Sequence, residues 1–220
     1  MASPGPAATL KVGANQTYKA PSAAAAAAKN GDHIEIDPGE YFDCAVWNAD
    51  NLVIEGTGPG VVITDKTCMG KGLFVVEGKN TTVRNLTLTR ARVPDMNGAG
   101  IRLDNGDLTV DNVKFIDNQN GIMGGVPGTT VTVRNSEFDK NGICLGACAH
   151  GIYAARRELA LLQYAAGSFD QIPGTAHRSD RLDRYGWSGR YIKLSDRSPQ
   201  WRHADCAWQH AGKRAEIGEP

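Results

Sequence analysis

Residues able to carry acid–base or ligand chemistry are plentiful in this chain, but none forms a signature. Asp95, Asp104, Asp107, Asp111, Asp117 and Asp139 supply carboxylates, and two such groups at a fixed separation can divide acid and base roles. His150 can serve as a base near neutral pH. Arg102 can grip an anion bidentately. The run Asp117-Asn118-Gln119-Asn120-Gly121 offers oxygen ligands for Ca²⁺, the weak cofactor candidate here, although Asn, Asp and Gly are also what tight corners select. Five cysteines are present, Cys44, Cys68, Cys144, Cys148 and Cys206. No second ligand pair at metal spacing accompanies any of them, which argues against a zinc site.

What positions these residues is a repeat. Thr82-Val83-Arg84-Asn85-Leu86-Thr87-Leu88, Thr109-Val110-Asp111-Asn112-Val113-Lys114-Phe115 and Thr132-Val133-Arg134-Asn135-Ser136-Glu137-Phe138 align without gaps, with their asparagines 27 and 23 residues apart. A second series, Asn97-Gly98-Ala99-Gly100-Ile101, Asn120-Gly121-Ile122 and Asn141-Gly142-Ile143, follows the first, and His150-Gly151-Ile152-Tyr153 repeats its Gly-Ile step. Each unit holds short β-branched runs bounded by Asn, Gly and Asp, the pattern of strand, turn, strand, turn. No helix-length amphipathic stretch separates them, so the strands are expected to wind as coils of a solenoid, each coil burying its inward side chains on its neighbours. The fold class predicted is an all-β, right-handed parallel β-helix. An Asn at one place per coil suits it, because Asn tolerates left-handed backbone at a corner and can stack its amide on the next coil. Ahead of the coils, Pro21 and Ser22 followed by Ala23 to Ala28 read as a short capping helix with Ser22 as N-cap, covering the open end of the core. Gly31 to Tyr41 reads as a first strand closed by a Pro-Gly turn.

The pieces "NGDHIEIDPGEYFD", "LVIEG", "TTVRNLTL", "TVTVRNSEF" and "HGIYA" resemble the N-terminal coils of the right-handed parallel β-helix superfamily, the pectate-lyase-like group of secreted proteins. The resemblance covers residues 10–154; residues 1–9 are expected to be disordered. It specifies the fold well and the activity poorly, since the group holds polysaccharide lyases, hydrolases, epimerases and tailspikes. It implies a secreted or periplasmic protein that binds or cleaves an extracellular polysaccharide, with a non-catalytic glycan-binding or adhesin-like surface protein as the alternative. If catalytic, the full-length form would be a polysaccharide lyase or glycoside hydrolase, and this chain, read as truncated, would be inactive. If Ile101, Ile122 and Ile152 point inward, then Arg102, Met123 and Tyr153 form an outward column and the best groove candidate. There an arginine can neutralise a uronate and a tyrosine can stack on a sugar ring. Arg102, Asp117 and His150 are the weak catalytic candidates. Given the export habit of the group, Cys44 with Cys68, about one coil apart, and Cys144 with Cys148, closing a small loop, are disulfide candidates.

Composition breaks after Ala154. Residues 1–154 hold 14 Val, 13 Asn and 5 Arg, residues 155–220 no Val, no Asn and 9 Arg, and the formal charges are -3 and +3. Residues 155–220 contain no coil motif and three of the four tryptophans. Back-translating Pro199 to Gln209 and reading one base later forces Gly at the Trp201/Arg202 and Trp208/Gln209 junctions and permits Asn-Gly-Gly-Thr-Leu-Thr-Val-Arg-Gly-Asn, close to the sequence from Asn105 to Asn112. The same shift over Glu158 to Leu161 permits Asn-Ser-Arg-Phe, with its Asn 23 residues after Asn135 and so on the repeat. The expectation is an aberrant, out-of-frame tail whose arginine-rich patches, histidines and Cys206 are not sites. Zero net charge disfavours nucleic acid as a partner. The sequence shows no membrane-spanning stretch or signal peptide, and a monomer is expected.

Overall fold

The computed structural model describes residues 6–125, 129–142, 144–145, 147–148 and 152–154, and within the last three segments only the side chain of Ile152. Strand β1 (Thr9–Val12) and helix α1 (Pro21–Ala27) precede five coils. The first coil is β2 (His33–Ile36), β3 (Gly39–Tyr41) and β4 (Ala45–Trp47); the second is β5 (Val53–Gly56), β6 (Val61–Thr64) and β7 (Gly72–Val76). In the third and fourth coils the first two strands run on through their corner, giving β8 (Thr81–Thr89) with β9 (Ala99–Leu103), then β10 (Leu108–Ile116) with β11 (Asn120–Gly124). The fifth coil has β12 (Val131–Arg134) and β13 (Glu137–Asp139), a small antiparallel hairpin of β14 (Cys144–Leu145) and β15 (Ala147–Cys148), and β16 (Ile152–Ala154). All other strand pairs are parallel and stack coil on coil.

The alternation of apolar and polar residues sets what faces in. Counting sheets by strand position within a coil, Ile34, Ile54, Val83, Val110 and Val133 stack in register down the first sheet, and Ile101, Ile122 and Ile152, these three at most 2% exposed, do so in the third. Every such side chain contributes roughly 1.5 to 3 kcal/mol by leaving water. Phe74 meets Trp47 edge-on at 5.5 Å, and Phe115 stacks on Phe138 at 4.6 Å.

Corners are built from left-handed residues in columns. Asn85, Asn112 and Asn135 have φ of 59°, 52° and 47° between the first and second sheets. Asn112 Nδ2 donates to Asn85 Oδ1 at 2.8 Å, but Asn135 turns its amide to Asp111 instead. Beneath Asn85 sits Gly56, where a Cβ would lie 2.0 Å from the Asn85 carbonyl oxygen, so no other residue fits. The next corner carries Asp65, Arg90, Asp117 and Lys140, again with positive φ and with charge alternating from coil to coil.

Three expectations are corrected. Asn141 is the equivalent of Asn118, not of Asn120: its Oδ1 accepts from both the backbone N–H and Nδ2 of Asn118, while Asn120 pairs with Ala99. The spacing that misled is the corner before the third sheet. From Tyr41 to Ala45, Ile63 to Phe74, Leu88 to Ile101, Phe115 to Ile122 and Phe138 to Ile152 the chain advances 4, 11, 13, 7 and 14 residues between equivalent rungs. Ser22 is not the N-cap of α1; that position is Ala20, without a side-chain cap. The free N–H of Ser22 is met by Asp43 Oδ2 at 2.8 Å, a carboxylate from the first coil. Finally, β1 begins at Thr9, inside the segment expected to be disordered, and Ala8 N–H donates to Asp32; β1 pairs with β2, which is therefore the second strand rather than the first.

Candidate functional site

The register places Val46, Val75, Arg102, Met123 and Tyr153 on successive rungs of the third sheet. Arg102 and Met123 lie in the predicted column and touch: Arg102 Nη1 donates to Met123 Sδ at 3.3 Å. Two residues join them. Asp104 follows Arg102 at the end of β9, its Oδ1 3.4 Å from Arg102 Nε, and Lys71 Nζ donates to its Oδ2. The cluster holds two cations and one anion. The Arg102 side chain is 23% exposed, and its buried Nε has no hydrogen-bond partner. A thioether is a weak acceptor, and the one charged partner of this guanidinium among the described residues, Asp104, is shared with Lys71.

A loop of residues 91–98 lies at the variable corner ahead of this face. It is folded around one buried amide: Gln119 Oε1 accepts from the N–H groups of Val93 and Gly98, and its Nε2 donates to the Val93 carbonyl and to Met96 Sδ. Asn118 does the same for the strand end, taking the Ala91 N–H and giving to the Leu88 carbonyl. The Asn118 and Gln119 oxygens proposed for Ca²⁺ are thus spent on backbone groups, and Asp117 is paired with Arg92 at 2.6 Å. No three His, Cys, Asp or Glu side chains among the described residues are grouped to hold a metal.

The remaining carboxylates are dispersed. Asp107 accepts the Thr130 N–H, Asp111 takes Asn135, Asp139 lies 3.6 Å from Lys140, and Asp95 is exposed on the loop. Asp104 alone among the six lies beside Arg102. His150 and the side chains of Tyr153, Cys144 and Cys148 lie outside the described residues, although Cys144 and Cys148 are backbone partners across the hairpin. Cys44 and Cys68 are joined, with Cα atoms 5.5 Å apart. Lys66 reaches Asp43 across the same two coils at 3.0 Å. Burial opposes ionisation of Asp43, but hydrogen bonds from Ser22, Lys66 and the Cys44 N–H outweigh it and hold the carboxyl below its ordinary range.

A second cluster stands on the first sheet. Glu55 accepts from Arg84 at 2.5 Å, lies 3.0 Å from His33 Nε2, and accepts from Asn85. Partial burial disfavours its charge, yet Arg84 and His33 hold its carboxyl below the usual range. Lys71 was missed in the sequence because it lies 33 residues from its partner. The usable signal was the Gly72 to Ala99 alignment, which puts Lys71 one coil from Gly98.

A parallel β-solenoid with one short N-terminal helix defines the class. The description "Right handed beta helix region" matches residues 18–158, and the chain belongs to that family. No curated protein matches it at a significant level. Among solved structures it is similar to a pectin methylesterase mutant bound to a hexasaccharide, at 15% identity with a TM-score of 0.46, over 70% of this chain and 62% of that one. The pectin methylesterase of Aspergillus niger, at 12% identity and TM-score 0.42, is covered to the same extent. PemA of Erwinia chrysanthemi shows 14% identity and a TM-score of 0.40 over 69% of this chain and 67% of its own. The chain spans about 62% of the length of the first two. No helix among the described residues is long and apolar enough to cross a membrane.

Proposed function

We propose that the Arg102 face binds an acidic polysaccharide through its uronate carboxylates, in a secreted protein of the polysaccharide-processing kind. The observation that carries this is the charge count, Arg102 and Lys71 sharing the single carboxylate of Asp104. The Cys44–Cys68 bridge supports an oxidising compartment.

Binding is favoured over cleavage in the coils described. Asp104 is the one carboxylate beside Arg102 among the six, whereas acid–base cleavage divides its roles between two groups. Lyase or hydrolase chemistry, if the full-length protein has it, would draw on groups beyond these, His150 being the nearest candidate in sequence. The composition break and forced glycines support the reading that residues 155–220 are out of frame and that the ancestral protein carried further coils.

The test is titration calorimetry with oligogalacturonate against a matched neutral oligosaccharide. Binding of the acidic ligand alone, weakened by salt, is expected. Arg102→Ala should lower affinity roughly 10- to 100-fold, the worth of one charge-assisted hydrogen bond, and Asp104→Asn should raise it. Equal affinity for both ligands, or an unchanged affinity in Arg102→Ala, would refute the assignment.

A further inference from the structure

Five Asn-Gly pairs occur in the chain, at Asn30, Asn97, Asn105, Asn120 and Asn141. In such a pair the backbone nitrogen of the glycine can attack the asparagine side-chain carbon. A C–N bond forms, ammonia leaves, and water then opens the cyclic imide at either carbonyl to give aspartate or its β-linked isomer. The reaction needs a glycine N–H free to lose its proton, an asparagine amide free to swing onto it, and water.

The fold withholds these from four of the pairs. Gly31 N–H donates to the Asp50 carbonyl while Asn30 Oδ1 accepts the Asp50 N–H. Gly98 N–H is held by Gln119 Oε1 at 2.8 Å. Asn120 is 3% exposed within β11. Asn141 is buried, its amide is bonded to Phe115 and Asn118, and Gly142 N–H donates to the Asn118 carbonyl.

Asn105-Gly106 differs on each count. Asn105 is exposed, its side chain has no bond among the described residues, and neither has the N–H of Gly106. Gly106 lies at φ 70° in the corner leading to β10, where a Cβ would sit 2.6 Å from Lys79 Cα, so the corner requires the residue that makes the pair reactive. We propose that Asn105 is a site of spontaneous deamidation, the one this fold leaves open while protecting the other four. The product adds one negative charge at the corner that follows Asp104 and the Arg102 face. The assignment of the modification stands whether or not that face binds glycans, since it is read in mass and charge.

The experiment ages the folded protein at mildly alkaline pH and maps it with trypsin. Cleavage after Arg92, Arg102 and Lys114 places Asn97 and Asn105 in separate peptides. Expected is an acidic shift in isoelectric point, with the mass gain of an amide becoming an acid confined to the peptide from Leu103 to Lys114, which splits into two isomeric products. Asn105→Gln should abolish the shift without unfolding, because the exposed Asn105 side chain makes no bond that the change would break; Asn97→Gln should leave it unaltered. Ageing in urea should spread conversion to all five pairs. Conversion first at another pair, uniform conversion in the folded state, or an unmodified Leu103 to Lys114 peptide when the urea sample has converted would each overturn the proposal.

Discussion

At the scale of single residues, burial decides which asparagines matter. Asn112 and Asn118 stand six positions apart in one coil and both bond across rungs, yet Asn112 is exposed and Asn118 wholly buried. Asn118→Ala leaves the Ala91 N–H without its partner in the interior, at about 1 to 3 kcal/mol, and takes one bond from the Leu88 carbonyl. Asn112→Ala loses a solvent-exposed amide contact and the short polar side chain that eases left-handed backbone, costing about 1 kcal/mol. Urea denaturation of the two variants should separate them by a clear difference in midpoint at equal slope. If the two midpoints coincide, the buried bonds add nothing. The outward asparagines could be read from the sequence because Thr-Val-x-Asn recurs without gaps. Asn118 could not, because its significance depends on a ring of backbone groups from Leu88 and Ala91 that only the folded coil assembles.

At the scale of elements, the first two coils are joined by a covalent and an ionic tie side by side, Cys44–Cys68 and Asp43–Lys66. Replacing both cysteines by alanine should lower stability by about 3 kcal/mol, the loop-closure value for a bridge of this span, measured in denaturant under oxidising conditions. Asp43 also caps the N-terminal turn of α1, so Asp43→Ala should cost about 1 to 2 kcal/mol and release the helix before the coils, as hydrogen exchange at Ala24 to Ala28 would register. Acid should act on the same elements. The Asp43 and Glu55 carboxyls have folded-state values below their unfolded ones. Their contribution is therefore complete above the ordinary carboxylate range near pH 4 and is lost as pH falls through the depressed values. Stability that rises on acidification through that range would contradict these pairings. The strands themselves were legible through period-two alternation and β-branched runs. The helix cap was not, because a carboxylate 21 residues downstream supplies what Ser22 was expected to supply. The second Asn series was misaligned for a related reason: the corner before the third sheet has no fixed length, so sequence spacing there does not report rung number.

At the scale of the whole molecule, stability is a sum of coil energies and the interfaces between them, and the described stack reaches β12, β13 and β16. Sequencing the gene tests whether the ancestral stack ran further. A one-base offset near codons 154 to 157 should open a frame carrying further Asn-bearing coils, and an early stop in that frame would end the idea. The uneven corner has a broader implication. Between the first and second sheets the last three coils each advance five residues, from Val83 to Leu88, Val110 to Phe115 and Val133 to Phe138. Over the same three coils the corner ahead of the Arg102 face advances 13, 7 and 14. These three coils thus separate a rigid spine from a margin open to splicing. Lengthening a surface loop costs only about 0.6 kcal/mol per doubling, so a foreign peptide grafted between Pro94 and Asp95 should leave the unfolding midpoint nearly unchanged. The same graft between Asn85 and Leu86 should break the stack.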